Sequence, residues 1–273
     1  MGSSSLPRNG GGSQRLNSDG ATVQGRRPAN GGGAMRLLSY NIHKGIGTDR
    51  RYRLDRVVAV IEAEAPDLIC LQEVDRNARR TRHDDQPALL AEKLRAAAQF
   101  YQLNAPHGEG GYGNLLLSRW PFRAAGTLSL NHRRRVPRGA QLVEVDTPEG
   151  PLHLVHTHLG LSERERRWQA SLLLEHPDFC KPEQLPTLIV GDFNDWRNTL
   201  GKRFFIPAGF HPATAPARRF RTFPTFLPIA AIDKIFYRGL HIVEARVVRA
   251  RPARRASDHL PVVCDFRLGS GET

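Results

Sequence analysis

The chain has 273 residues and a net charge of +13 at pH 7, and 40% of its residues are hydrophobic. This length suits one large domain or two small ones, and the apolar content is sufficient for a buried core. No stretch is apolar for long enough to span a bilayer or to act as a secretory signal, which argues against a membrane-spanning protein and favours a cytoplasmic one.

Residues 1–34 are rich in glycine, serine, asparagine and arginine and have almost no periodic apolar positions. Such a segment cannot bury enough surface to offset the entropy lost on ordering, so we predict a disordered basic tail. The tail carries +3, from four arginines and one aspartate, which leaves +10 on the rest of the chain. A domain this basic favours polyanionic partners such as nucleic acid, phosphate esters or an anionic lipid surface; a charged face that serves only solubility is an equal alternative.

In chain order, the predicted elements are a strand at 37–40, a helix at 54–63, a strand at 68–71, a helix at 86–98, strands at 115–117, 142–145 and 152–155, a helix after residue 162, and strands at 187–190, 232–237, 242–248 and 261–266. The strands are short apolar runs, whereas the helices have apolar or capping residues at helical spacing. Pro66 ends the first helix, and Pro87 suits the first turn of the second. Ser162 and Glu165 form a capping box that opens the third helix.

The elements form both hairpins and strand–helix–strand units, which predicts an α/β (α+β) chain whose sheets are covered by helices. Pro148-Glu149-Gly150 is the turn of one hairpin. The domain is predicted to span residues 35–268, with a flexible C-terminus at 269–273. Cys70 and Cys264 lie in apolar runs, and with Cys180 they match no zinc motif, so we predict buried thiols in a reducing compartment.

Polar side chains follow several of the predicted strands, where strand ends can bring distant residues to one rim. Alone, each of these residues could be a turn or surface residue. Asp192 and Asn194 alternate onto one face after Gly191, which permits close approach of the backbone. Carboxylates suit Mg²⁺, while asparagine and histidine can donate to a phosphoryl group. Together these residue types indicate metal-assisted phosphoester hydrolysis.

Six motifs occur in order: Ser39-Tyr40-Asn41-Ile42, Leu71-Gln72-Glu73, His156-Thr157-His158-Leu159, Gly191-Asp192-Phe193-Asn194, Ile232-Asp233-Lys234-Ile235 and Ser257-Asp258-His259-Leu260-Pro261-Val262. With them the chain resembles the endonuclease/exonuclease/phosphatase superfamily, particularly its uncharacterised bacterial members. This superfamily includes DNase I-like nucleases, inositol polyphosphate phosphatases and sphingomyelinases. The resemblance covers nearly all of the chain outside the tail. It implies a DNase I-like four-layer sandwich, in which two packed mixed β-sheets are flanked by helices.

The resemblance also implies a metal site and a base. Glu73 would be the main ligand, and Asn41 and Asp258 would hold the metal or its waters. The expected cofactor is Mg²⁺, with Mn²⁺ as a substitute. Asp192 would orient or deprotonate the attacking water, while Asn194 would position Asp192 and donate to the phosphate.

By the same resemblance, His158 and His259 would contact the scissile phosphate, with Asp233 orienting His259. His156 is the second choice for the role of His158. Arg138 corresponds to a phosphate-contacting basic residue, although three other arginines precede it closely.

The predicted substrate is nucleic acid, which makes the chain a phosphodiesterase or nuclease. Arginines at 133–135, 218–221 and 249–255 could track a phosphate backbone, although each cluster could equally be a solvated face. Residues 192–196 and 231–234 differ from the usual motifs of inositol phosphatases, and residues 230–234 differ from the usual motif of abasic-site endonucleases.

Two alternatives remain on the same scaffold: a membrane-lipid phosphodiesterase of the sphingomyelinase or phospholipid type, and a phosphatase. The aromatic and basic segment 220–228 could stack on a base, insert into lipid or pack locally. A non-catalytic scaffold that binds polyanions is a minor alternative, because all the catalytic residue types are present together. No obligate protein partner is inferred.

Overall fold

The computed structural model describes residues 33–182 and 184–269. The predicted tail at 1–34 and the predicted flexible C-terminus at 269–273 lie almost wholly outside these residues, so both stay predictions. Within the described residues, no helix is long and apolar enough to cross a membrane.

The strands and α-helices, in chain order, are β1 (Met35–Asn41), α1 (Leu54–Glu64), β2 (Leu68–Arg76), α2 (Gln86–Lys93), β3 (Ala98–His107), β4 (Gly110–Ser118), β5 (Phe122–Ser129), β6 (Gly139–Thr147), β7 (Gly150–His158), α3 (Glu163–Glu175), α4 (Pro177–Cys180), β8 (Thr187–Asp192), β9 (His211–Pro212), β10 (Asp233–Arg238), β11 (His241–Val247), α5 (Ala253–Ala256) and β12 (Val262–Arg267).

The strands form two mixed sheets of related topology. The first has the order β11-β12-β1-β2-β4-β3, and the second has the order β5-β6-β7-β8-β10-β9. Each sheet contains one central parallel pair, β1 with β2 and β7 with β8, and the other neighbours are antiparallel. Because parallel strands end at the same edge, each sheet brings two strand ends to one rim.

Three apolar layers separate four layers of secondary structure. Adjacent residues of β1 show how a strand buried on both faces serves two layers: Leu37 packs between the two sheets, whereas Leu38 packs beneath α1. On the far side, Leu173 of α3 packs against the second sheet. The four-layer sandwich expected from the sequence is therefore confirmed.

The predicted helix at 86–98 is wrong in its second half. Helix α2 ends at Lys93, and the chain from Ala98 onward is strand β3, which pairs with β4. The alanine-rich sequence favours a helix locally, but the hydrogen bonds of the sheet override this weak preference. Strand β5 is not evident from the sequence because most of its side chains are exposed, so apolar and polar residues do not alternate along it.

Local signals at the ends of elements were informative. The side chain of Asp85 accepts a hydrogen bond from the backbone N–H of Ala88 at 3.0 Å and caps α2. The hydroxyl of Ser162 accepts from the N–H of Glu165 at 3.3 Å and caps α3. Cys70 and Cys264 are free thiols buried between the sheets, as expected, whereas Cys180 is exposed.

Candidate active site

The parallel pairs of the two sheets end at a common rim. Asn41 ends β1, His158 ends β7 and Asp192 ends β8. Strand β10 runs antiparallel to β8, so its first residue, Asp233, pairs with Asp192 at the same edge. The amide Nδ2 of Asn41 lies 3.0 Å from Oδ2 of Asp192, which joins the two sheets at this rim.

Asp192 is at the centre of the cluster. Its Oδ1 accepts a hydrogen bond from the backbone N–H of Asn194 at 2.9 Å. Its Oδ2 accepts from Asn41 and lies 3.5 Å from Nε2 of His158 and 3.7 Å from Nε2 of His259. Burial raises the pKa of Asp192 to about 6, against the opposing effect of the positive charge on His259. A carboxylate with this pKa can accept a proton near neutral pH.

His259 is held as an imidazolium. Its Nδ1 lies 2.9 Å from Oδ2 of Asp233, which also accepts a hydrogen bond from the hydroxyl of Thr222. Burial alone would lower the pKa of His259, but the carboxylates of Asp233 and Asp192 outweigh it and raise the pKa to about 10. Both ring nitrogens therefore carry protons, and Nε2 lies 3.7 Å from Oδ2 of Asp192.

His158 is neutral, and its neighbour sets its tautomer. Burial lowers the pKa of His158 well below its usual value, and the charge of Arg138 lowers it further. Nη1 of Arg138 lies 3.2 Å from Nδ1 of His158. Because a guanidinium can only donate, Nδ1 must accept and the ring proton sits on Nε2. The Nε2 atoms of two imidazole rings thus lie within 3.7 Å of the same carboxylate oxygen.

Glu73 lies on the sheet opposite Asp192, at an irregularity in β2 where its backbone φ is +57°. Its carboxylate forms an ion pair with the ammonium of Lys44, and its Oε1 lies 3.5 Å from Nδ2 of Asn41. Burial raises the pKa of Glu73, but the charge of Lys44 contributes to holding it well below its ordinary value. Glu73 is therefore an ionised carboxylate, and its partner is the ammonium of Lys44. Ionised carboxylates are suitable ligands for divalent metal ions.

Two of the predicted residues lie apart from this cluster. His156 is buried between the sheets, with Nε2 2.7 Å from Nε2 of Gln72 and Nδ1 2.8 Å from Oε1 of Gln141. It is thus a link between the sheets rather than a group open to the cleft. The side chain of Asp258 is partly exposed, and its Oδ1 lies 3.3 Å from the hydroxyl of Ser257 and 3.9 Å from Nδ1 of His43.

Asn194 supports Asp192 mainly through its backbone. Its φ is +49°, a conformation that asparagine tolerates better than most residues. Its Nδ2 donates to the backbone carbonyl of Leu159 at 3.0 Å, so the side chain fixes the turn after β8 in addition to any contact with phosphate.

Burial distinguishes Arg138 from the three arginines that precede it in the sequence. Its guanidinium is buried against His158, whereas the arginines at 133–135 are exposed. Sequence alone could not make this choice, because all four arginines lie within six positions of one another.

Three residues of the site are not predicted from the sequence. Lys44 pairs with Glu73, and its only sequence signal is a basic residue shortly after Asn41. The hydroxyl of Thr222 donates a hydrogen bond to Asp233. Thr222 lies eleven residues before Asp233 and belongs to no recognisable sequence motif. Gln86, at the start of α2, accepts from the N–H of Asp75 at 2.8 Å and donates to the carbonyl of Lys44 at 2.7 Å, and it thereby joins the segments that carry Glu73 and Lys44.

Within the described residues, one group of potential ligands, Asp192, Asp233 and His259, has its ligand atoms within 4.8 Å of one another. In this trio the ring of His259 lies between the two carboxylates, with Nδ1 2.9 Å from Asp233 and Nε2 3.7 Å from Asp192.

A buried carboxylate surrounded by N–H donors, beside a second carboxylate that is paired with an ammonium group, is compatible with a hydrolase of phosphoesters. The chain belongs to the endonuclease/exonuclease/phosphatase family, whose sequence model matches residues 38–259. Members of this family generally depend on a divalent metal ion.

Known relatives share the fold over most of the chain. The uncharacterized protein YbhP of Escherichia coli is 28% identical over 244 residues, which cover 85% of this chain and 96% of YbhP. The crystal structure of an endonuclease/exonuclease/phosphatase from Beutenbergia cavernae has a TM-score of 0.72 and 26% identity, covering 87% of this chain and 72% of that chain. The mannosyl-6-phosphatase Bt3783 of Bacteroides thetaiotaomicron has a TM-score of 0.67 and 18% identity, covering 86% of this chain and 100% of that chain, and shows the shared fold alone.

Proposed function

We propose that this chain is a Mg²⁺-dependent phosphodiesterase in which Asp192 is the base. The observation that carries the proposal is the convergence of N–H groups from Asn41, His158 and His259 around one oxygen of Asp192. Donors so arranged can also bind the oxygens of a phosphate placed next to that carboxylate.

In this proposal each side chain has a defined task. Asp192 accepts a proton from the attacking water. The neutral His158 and the cationic His259 donate from Nε2 to the phosphoryl oxygens, where negative charge accumulates. Arg138 keeps the proton of His158 on Nε2, and Asp233 orients His259.

The proposed metal ligand is Glu73, and Asn41 and Asp258 would hold the ion or its waters. When bound, Mg²⁺ would supply Lewis-acid stabilisation of the phosphoryl charge, and Mn²⁺ would be a substitute. The fit rests on the ionised carboxylate of Glu73, which already pairs with the ammonium of Lys44. Asp258 is the least supported of the three because its side chain faces partly outward.

Nucleic acid is the first candidate substrate, on the basis of charge. The basic composition and the exposed arginines near the cleft suit a polyanion. A membrane lipid is the second candidate. It is favoured by one specific observation, the exposed apolar side chains of Phe226, Leu227 and Ile229, which lie in the same loop as Phe223, whose ring is 4.8 Å from that of His259.

The first prediction concerns the catalytic residues. Asp192→Asn removes the base and His259→Ala removes a phosphate donor, so each should lower turnover by roughly 10²–10³ or more while the protein still folds. The measurement is Mg²⁺- and Mn²⁺-dependent hydrolysis of DNA, RNA, phosphoinositides, phosphatidylglycerol and sphingomyelin.

Asp178→Asn and His241→Ala make the same chemical changes at exposed surface positions and should leave turnover unchanged. Hydrolysis near the wild-type rate by purified Asp192→Asn or His259→Ala would refute the assignment.

A further inference from the structure

The loop that precedes β10 has an apolar tip that is exposed to solvent. The loop closes where Phe223 and Ala230 pair as an isolated bridge. Between them, the apolar tip (Pro224–Ile229) exposes 79% of Phe226, 61% of Leu227 and 57% of Ile229. Local packing, one of the alternatives for this segment, therefore does not account for the tip. A cluster of large exposed apolar residues is a sign of an interaction site.

The base of this loop is fixed to the catalytic machinery. The N–H of Thr225 donates to the carbonyl of Asp258 at 2.8 Å, and its hydroxyl donates to the carbonyl of Ser257 at 3.1 Å. The ring of Phe223 lies 4.8 Å from the ring of His259, centroid to centroid. The apolar tip is thus held beside the cleft by buried hydrogen bonds.

Exposed arginines lie in the segments that flank the same loop. We call them the arginine collar: Arg218, Arg219, Arg221, Arg249, Arg251, Arg254 and Arg255. Two of their own hydrogen bonds join the separate segments, because Arg249 donates to the carbonyls of Arg219 and Arg221 at 3.3 and 3.4 Å. Throughout the described part of the chain, none of these seven forms an ion pair with a carboxylate, so their charges are available to an external anion.

We propose that the apolar tip and the arginine collar dock this enzyme on an anionic membrane. Lipid is favoured over nucleic acid because Leu227 and Ile229 are aliphatic and have no ring to stack on a base. Aliphatic and aromatic side chains at a tip gain free energy by entering the region between headgroups and acyl chains. The arginines of the collar, in the segments that flank the loop, are attracted to anionic headgroups.

Docking in this way places the mouth of the cleft against lipid headgroups, because the tip is fixed beside His259. Docking of this kind favours the second candidate substrate, a phosphoester of an anionic lipid headgroup, over nucleic acid, which charge alone favours. The inference about the substrate class rests on the proposed function, whereas the inference of membrane docking does not.

The test is co-sedimentation of the full chain with vesicles, which requires no turnover. Vesicles of equal parts phosphatidylcholine and phosphatidylglycerol should bind the protein, and vesicles of phosphatidylcholine alone should bind it at least tenfold more weakly. Raising the salt concentration should weaken the binding to anionic vesicles, because exposed charges are screened.

Two sets of variants separate the tip from the collar. The triple variant Phe226→Ser, Leu227→Ser, Ile229→Ser should lose tenfold or more in partitioning to anionic vesicles. The double variant Arg218→Gln, Arg251→Gln should lose roughly fivefold for each arginine removed. As a matched control, Ile206→Ser with Val243→Ser removes two exposed apolar side chains from other parts of the surface and should bind like the wild type. A melting curve shows that each variant is folded.

Binding that is equal for neutral and anionic vesicles, or that survives the triple variant, would overturn the proposal. It would also be overturned if the wild type ignored vesicles and the triple variant instead lost affinity for a single-stranded oligonucleotide. Vesicle binding is also measured for the Asp192→Asn variant, which we expect to be catalytically impaired. Membrane docking is thereby tested separately from the proposed hydrolysis. If that variant binds but the wild type cleaves no phosphoester, the proposed function fails and the docking stands.

Discussion

At the scale of single residues, the ion pair between Lys44 and Glu73 lies at the proposed metal ligand. Lys44 also lies over the ring of Tyr112, with Nζ 5.1 Å from the centroid, so its position is supported from two sides. A tethered ammonium on the main proposed ligand competes with a divalent cation for the same carboxylate. We therefore propose that Lys44 is a positioning residue that restrains Glu73 and lowers its affinity for a metal ion.

We expect Lys44→Met to tighten Mn²⁺ binding by roughly tenfold, because about 1.4 kcal/mol of competition is removed. Calorimetric titration of the purified protein with Mn²⁺ measures this directly, independently of activity. Lys93→Met is the matched control, since the partner of Lys93 is the exposed Asp55. An unchanged or weaker affinity in Lys44→Met would contradict the role assigned to Lys44.

At the scale of elements, the contact between β7 and β8 determines the spacing of His158 and Asp192. Gly191 precedes Asp192 with φ at +144°, and a Cβ atom placed there would lie 1.8 Å from the backbone oxygen of Thr157. No L side chain is compatible with this distance, so the strands would have to separate. The glycine therefore allows the close approach of the two strands whose next residues are His158 and Asp192.

Gly191→Ala should lower the free energy of unfolding by about 2–4 kcal/mol, through overpacking and backbone strain. It should also reduce turnover, because the distance from His158 to Asp192 changes. Urea denaturation and the hydrolysis assay measure the two effects. Gly126→Ala on β5, where a Cβ would meet nothing within 4 Å, should be neutral. Equal stability of the two variants would show that β7 and β8 tolerate separation.

At the scale of the whole molecule, the second sheet buries histidines that remain neutral. Burial lowers the pKa of His153 to about 4, with help from Arg238, and burial lowers the pKa of His156 to about 3. The unfolded chain binds protons at these residues with a pKa of about 6.5. Their contribution to stability is therefore complete above about pH 6.5 and is lost as the pH falls toward 4.

His153→Phe should make the protein less sensitive to acid. Its ring already packs against Phe179, with centroids 5.9 Å apart, so phenylalanine suits the position. Between pH 7 and pH 4, the wild type should lose on the order of 2–3 kcal/mol more stability than the variant. Urea unfolding at a series of pH values measures this difference, and the exposed His241→Gln should follow the wild type. Parallel stability curves for His153→Phe and the wild type would refute the assignment.

The sequence by itself determined the order of the motifs, the reaction class and most strands. Those features depend on local apolar patterns and on residue types that few chemistries require together. It could not locate β3 or β5, because pairing in the sheet rather than local preference forms β3, and β5 has few buried side chains.

Only the tertiary structure decided which of several similar residues occupy the cleft. It placed His158 at the rim and His156 between the sheets, buried Arg138 but not the arginines before it, and brought Lys44 to Glu73. The physical reason is that proton positions and charges depend on burial and on distances between residues far apart in sequence. Those quantities exist only once the two sheets are packed.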